Sequence, residues 1–137
     1  MNPGNKLILL VDDDSICNSI NKLLISKKIL KEGRNDTFIL AYTEPVEGMK
    51  FLSNALDQKS YGKIIILLDI NMPIMTGWEF LEEYAKLSQN ETEVKVYILT
   101  SSVNYSDIER AKANEYVEDF ISKPITSKNL DELFKLI

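Results

Sequence analysis

The feature that most restricts how this chain can fold is an alternation. Short, wholly aliphatic runs are each followed by a longer segment whose apolar positions recur at helical spacing. Leu7 to Val11 and Ile64 to Leu68 are continuous apolar runs of five residues, the pattern of strands buried on both faces of a parallel sheet. After the first run, Ile16, Ile20, Leu23 and Leu24 recur at i, i+4, i+7 and i+8, the apolar stripe of an amphipathic helix that ends before Gly33. Thr37 to Tyr42 reads as a second strand, and Val46, Met49, Leu52 and Leu56 mark a helix opened by Glu44-Pro45. Lys63 to Leu68 is a third strand, and the helix after it carries Phe80, Leu81, Tyr84 and Leu87. A fourth strand, Val94 to Leu99, precedes a more polar helix near Ser106 to Ala113. Glu118 to Ile121 is a short fifth strand, and Leu130, Leu133, Phe134 and Ile137 form the stripe of a last helix that reaches the C-terminus. Parallel neighbours need crossover connections, and helices are the usual ones. Five strand-helix units therefore predict an α/β chain with a doubly wound, five-stranded parallel sheet covered by helices on both faces. The 137 residues suffice for one core and are few for two. Residues 1–5, with Pro3 and Gly4, read as a flexible N-terminus and residues 6–137 as one domain.

Composition removes several kinds of chemistry. With 16 Lys plus Arg against 21 Asp plus Glu the net charge is -5, which argues against nucleic acid as a partner. Lys22, Lys27, Lys28, Lys31 and Arg34 read as the solvated cationic end of the first helix. Cys17 is the only cysteine and histidine is absent. Those two facts exclude an intrachain disulfide, a Ser-His-Asp or Cys-His centre, a histidine-ligated metal and a phosphohistidine on this chain. No apolar run approaches the length of a signal sequence or a membrane span, so the sequence predicts a cytoplasmic protein without membrane contact.

In a doubly wound sheet the crevice for chemistry lies outside the carboxyl ends of the strands. Asp12, Asp13 and Asp14 follow the first strand; Asp69, Ile70 and Asn71 the third; Thr100, Ser101 and Ser102 the fourth; Ser122, Lys123 and Pro124 the fifth. The second strand supplies Thr43. Taken singly, an aspartate before a helix is a cap and a lysine after a strand is a surface charge. Together, the acids of neighbouring strands one and three meet at one rim, where charges about 4 Å apart repel by roughly 4 kcal/mol at an effective dielectric of 20. Such a cluster calls for a cation, and all-oxygen ligands point to Mg²⁺. A carboxylate, a hard cation, the Thr100 hydroxyl and the Lys123 ammonium suit phosphoryl transfer, with Asp69 as the attacking group and an acyl phosphate as product.

In these motifs, Leu10-Val11-Asp12-Asp13-Asp14, Leu68-Asp69-Ile70-Asn71-Met72-Pro73 with Gly77, Leu99-Thr100-Ser101 and Lys123-Pro124, the sequence resembles the receiver domain of two-component response regulators, from Leu7 to Leu136. The resemblance implies a flavodoxin-like (βα)5 fold with strand order 2-1-3-4-5. It also implies that Asp69 is the phosphoacceptor, that Asp12 and Asp13 are the acid pair for Mg²⁺, and that the backbone carbonyl of Asn71 completes the coordination. Thr100 is then the switch hydroxyl, Phe120 the switch aromatic where many members have tyrosine, and Lys123 the phosphate-pairing lysine, joined to Pro124 by a cis bond. The residues that set the lifetime of the phosphate are Asn71 and Ser102. The implied donor is a histidine kinase or phosphotransfer protein. The output is contact with an effector protein, or with a second copy of the chain, through the face formed by the fourth helix, fifth strand and fifth helix. Such a domain signals rather than turning over a substrate.

Two other readings use the same residues. A phosphatase of the haloacid dehalogenase type requires a second acid two residues after its nucleophile, where this chain has Asn71 after Asp69, or Asp14 after Asp12. The latter case also needs a lid domain for which 137 residues leave little room. A degenerate receiver acting only as a binding module usually lacks an acid or the lysine, and both are present here.

Overall fold

The computed structural model describes residues 4–87, 92–101 and 104–137. Five strands, β1 (Lys6–Val11), β2 (Thr37–Tyr42), β3 (Lys63–Leu68), β4 (Glu93–Thr100) and β5 (Val117–Ser122), alternate with helices α1 (Ser15–Lys31), α2 (Pro45–Asp57), α3 (Gly77–Ala85), α4 (Tyr105–Ala113) and α5 (Ser127–Phe134). All four strand pairs are parallel, in the order β2-β1-β3-β4-β5, the flavodoxin-like arrangement that the resemblance implies. Asn5, at the end of the segment expected to be flexible, accepts a backbone hydrogen bond from Gly62 at 2.9 Å, while residues 1–3 lie outside the described residues.

Period-two alternation divides the core into two layers. Leu7, Leu9 and Val11 of β1 and Ile64, Ile66 and Leu68 of β3 pack with Leu52 of α2, Phe80 of α3 and Ala111 of α4. Ile8, Leu10, Ile65 and Leu67 pack on the other face with Ile25 of α1 and with Leu130, Leu133 and Phe134 of α5. Because β1 and β3 are covered on both sides, nearly every residue of their aliphatic runs is withdrawn from water, each worth about 1.5–3 kcal/mol.

The face that α1 presents to the sheet differs from the one its apolar spacing predicts. Ile16 and Ile20 are 71% and 53% exposed, and Leu23 and Leu24 also face solvent, whereas Asn18, Asn21 and Ile25 are buried. Hydrogen bonds from Asn18 to the ends of β1 and β2 fix this rotation of the helix, so directional polar contacts override the apolar stripe. Likewise Val46 of α2 faces solvent, and the buried residues on that helix include Gly48, Leu52, Ala55 and Leu56. Leu87 packs on the core from beyond the end of α3.

At the C-terminus, α5 stops at Phe134 rather than reaching Ile137. The Arg34 guanidinium donates to the carbonyls of Phe134 (2.9 Å) and Ile137 (3.1 Å) and lies over the Phe134 ring. It takes up carbonyl groups that have no intrahelical donor once the helix has ended. Arg34 is therefore a cap for α5, and Lys28 pairs with Glu32 and Asp131 at 2.9 and 2.7 Å. Of the cationic group read as solvated, Lys22, Lys27 and Lys31 remain exposed.

Candidate functional site

The site begins with strand register. Val11 of β1 stands between Tyr42 of β2 and Leu68 of β3, so Asp12 and Asp69 leave the sheet side by side. Backbone hydrogen bonds continue past the strand ends: Asp12 N–H donates to the Tyr42 carbonyl at 3.1 Å, and Asp69 N–H to the Val11 carbonyl at 3.0 Å. On the far side, Lys123 N–H donates to the Thr100 carbonyl at 2.9 Å, and the Lys123–Pro124 bond is cis, as expected.

The side chains converge on one rim. Lys123 Nζ donates to Asp12 Oδ2 in a short contact and to Asp69 Oδ2 at 3.3 Å. Asp12 Oδ1 accepts the Asp14 amide at 2.9 Å, and Asp69 Oδ1 accepts the Asn71 amide at 3.1 Å. Thr100 is fully buried, and its Oγ1 accepts Asn71 Nδ2 at 3.3 Å. Asp12 and Asp69 are buried while Asp13 is exposed at the mouth. Asp14 caps α1 through hydrogen bonds from Ile16 and Cys17 N–H.

Electrostatics leave this rim short of positive charge. Carboxylate oxygens of Asp12, Asp13 and Asp69 lie within 4.8 Å of one another, against a single ammonium. Each such pair repels by about 3.5 kcal/mol at an effective dielectric of 20. Burial pushes the Asp69 carboxyl above its ordinary value, against the Asn71 amide and the Lys123 charge, and the charge of Asp12 adds to the rise. Burial works against the Lys123 ammonium, but the Asp12 hydrogen bond and the charges of Asp69 and Asp12 outweigh it, so its pKa is raised and it stays protonated. An all-oxygen donor set, one member open to solvent and the excess of negative charge together fit a hard divalent cation such as Mg²⁺.

Asp12, Asp13, Asp69, Asn71, Thr100 and Lys123 are thus brought together. Phe120 is set apart: it pairs across β4 with Ile98 while Thr100 pairs with Ser122, and its half-buried ring packs on the α2–α3–α4 layer. Ser102 lies outside the described residues. Three residues without an assigned role in the sequence reading also belong to the site. Cys17 interacts with both Asp12 and Lys123, and burial pushes its thiol up. Asn18 binds the Asp12 carbonyl; nothing in the sequence marked it, because it lies opposite the predicted apolar stripe of α1. Gly77 lies so close to the loop after β3 that a Cβ there would stand 2.7 Å from Ile70 Cα and 2.8 Å from the Asp69 carbonyl oxygen.

Comparison with known proteins places these features among relatives. The response regulator receiver domain family matches residues 8–135. The two-component response regulator ORR1 of Oryza sativa subsp. indica is 30% identical over 132 residues, covering 96% of this chain and 55% of its own length. The chain thus spans about half the length of the curated relatives it matches. A two-component response regulator from Cytophaga hutchinsonii superposes with a TM-score of 0.77 at 28% identity, covering 97% of this chain and 96% of that one. The Mn²⁺-bound form of response regulator Rcp1 superposes with a TM-score of 0.64 at 25% identity, covering 96% and 91%.

Proposed function

The chain belongs to the response regulator receiver domain family of two-component signalling, and on that premise we propose that Asp69 accepts a phosphoryl group from a phosphohistidine of a histidine kinase or phosphotransfer protein. The observation that carries this reading is the setting of Asp69: a buried carboxylate flanked by the Lys123 ammonium, the Asn71 amide and the Asp12–Asp13 pair. The 137 residues contain no histidine, so the phosphohistidine lies outside them.

In the proposed transfer an Asp69 carboxylate oxygen forms a bond to phosphorus as the P–N bond of the donor breaks, and the departing imidazole nitrogen keeps the electron pair. Asp12, Asp13, Asp69 and the Asn71 backbone carbonyl are the residues that would hold Mg²⁺. The ion supplies neutralisation of phosphoryl oxygen charge; the Mn²⁺-bound form of a relative is consistent with a divalent site in this fold. Lys123, already bonded to Asp69 Oδ2, offers its ammonium to a phosphoryl oxygen, and the Thr100 hydroxyl donates to another. In this reading Asn71 and Ser102 set the lifetime of the acyl phosphate.

Output is proposed to leave through the surface of α4, β5 and α5. Drawing the Thr100 hydroxyl toward the phosphoryl group vacates space that the half-buried Phe120 ring fills, biasing an existing two-state equilibrium. An effector protein, or a second copy of the chain, reads that face. Among the described residues no helix is long and apolar enough to cross a membrane.

The test is incubation with Mg²⁺ and a small phosphodonor followed by intact mass measurement. A stoichiometric, base-labile gain of one phosphoryl group is expected, and Asp69→Asn abolishes it. Equal labelling of the asparagine variant would overturn the assignment of the acceptor, and turnover of a phosphate ester would move the reading to a phosphatase.

A further inference from the structure

The polar lining of α1 has a purpose that packing does not supply. Asn18 is 4% exposed and faces the sheet. Its side-chain Nδ2 donates to the Asp12 carbonyl at 2.9 Å and to the Tyr42 carbonyl at 3.1 Å. That same Tyr42 oxygen accepts the Asp12 amide at 3.1 Å. The peptide groups on both sides of Asp12 Cα are therefore tied to one point at the end of β2. Two carbonyls can be answered only by the NH₂ end of the amide, so the orientation of the side chain is chemically determined. Its other end, Oδ1, is buried without a partner. A leucine here would bury more apolar area and remove the orphan Oδ1, but it would take the donor from the Asp12 carbonyl, so the asparagine answers that carbonyl rather than a need of apolar packing.

The Asp12 carbonyl belongs to the peptide group that links Asp12 to Asp13. Holding it sets the plane of that peptide, and with it the positions from which both carboxylates project against their mutual repulsion. We infer that Asn18 is a positioning residue for the acid pair, fixing the Asp12–Asp13 peptide so that the two carboxylates meet a divalent cation in a prepared geometry. This rests on the metal reading above. Outer residues that orient metal ligands typically change affinity by about 10- to 100-fold when removed, and the same range is expected here.

The experiment compares the full chain with Asn18→Leu, Asn18→Ser and, on the same buried face of α1 but away from the strand ends, Ile25→Val. Mg²⁺ is titrated by calorimetry, thermal midpoints are taken in chelator, and amide exchange at Asp12 and Asp13 is followed without metal. The expected result is that the Asn18 variants lose Mg²⁺ affinity about tenfold or more and exchange faster at these two amides. Their labelling by phosphodonor recovers when Mg²⁺ is raised to saturation. Ile25→Val, which softens the same helix, keeps the affinity of the parent. If the leucine variant does not fold, the serine variant, which can donate only one bond, carries the comparison. A folded Asn18 variant with parental affinity and parental exchange would overturn the inference, as would an equal loss of affinity in Ile25→Val. A parent chain that bound no Mg²⁺ would instead overturn the metal reading, and exchange at Asp12 and Asp13 would then decide the role of Asn18.

Discussion

Replacing Gly77 by alanine tests how tightly α3 is coupled to the proposed acceptor. The added Cβ would stand 2.7 Å from Ile70 Cα, 2.8 Å from the Asp69 carbonyl oxygen and 2.9 Å from Ile70 Cγ2. Carbon atoms in contact prefer separations of about 3.5–4.0 Å, and two of the three atoms are backbone that no rotamer change can move. The clash is relieved only by shifting α3 or the Asp69–Ile70 segment, and the Gly77 amide is itself bonded to the Ile70 carbonyl at 3.1 Å. Overpacking of this kind costs about 1–3 kcal/mol; with rigid neighbours the upper end applies, less up to about 1 kcal/mol for the better helix propensity of alanine. A net loss of about 2 kcal/mol lowers the melting temperature by about 7 °C for a chain of this size. Gly48→Ala in α2 is the control, because its nearest neighbours stand at 3.4 and 3.5 Å and the gain in helix propensity is unopposed. Thermal melts of the three proteins, with initial rates of phosphodonor labelling, give the comparison. The reasoning expects Gly77→Ala to melt lower and label more slowly while Gly48→Ala melts at or above the parent. A Gly77→Ala protein with parental melting and labelling would falsify the claim that this contact positions Asp69.

Three further outcomes follow from other parts of the structure. Asp13→Ala, at the exposed mouth of the acid cluster, is expected to weaken Mg²⁺ binding by about tenfold or more without lowering metal-free stability; unchanged affinity in calorimetry would remove Asp13 from the site. For Asp69 the sign of the pH effect follows from its raised pKa. The folded chain holds this proton more firmly than the unfolded one, so the stabilisation is complete below the ordinary carboxylate value and is lost as pH rises through the raised one. Metal-free Asp69→Asn is therefore expected to melt above the parent at neutral pH, with the gap closing as pH falls into the carboxylate range, and a gap independent of pH would contradict this. Arg34→Ala removes two charge-assisted hydrogen bonds to the end of α5 and the stacking on Phe134. A loss of about 2 kcal/mol is expected, with faster amide exchange in residues 130–137, and exchange that stays at parental rates there would show that α5 does not need this cap.

What the sequence determined by itself was the alternation and the chemistry at its junctions. Aliphatic runs such as Leu7 to Val11 have one stable location, the doubly covered middle of a parallel sheet, and the acids, hydroxyl and lysine that end the runs are then carried to one rim. Local pattern suffices there because burial is non-directional and the strand period is fixed. The tertiary structure decided what depends on partners distant in sequence. Asn18 could be seen to face inward only once the carbonyls of Asp12 and Tyr42 stood together, and this turned the stripe of Ile16, Ile20, Leu23 and Leu24 to solvent. Arg34 looked like one more solvated cation until the last turn of α5 arrived a hundred residues later to receive it. Gly77 had no visible cause until α3 lay against the Asp69 backbone. Hydrogen bonds and steric contacts are directional and short-ranged, so which residue serves which is set by the assembled fold, whereas the period of the apolar pattern is written along the chain.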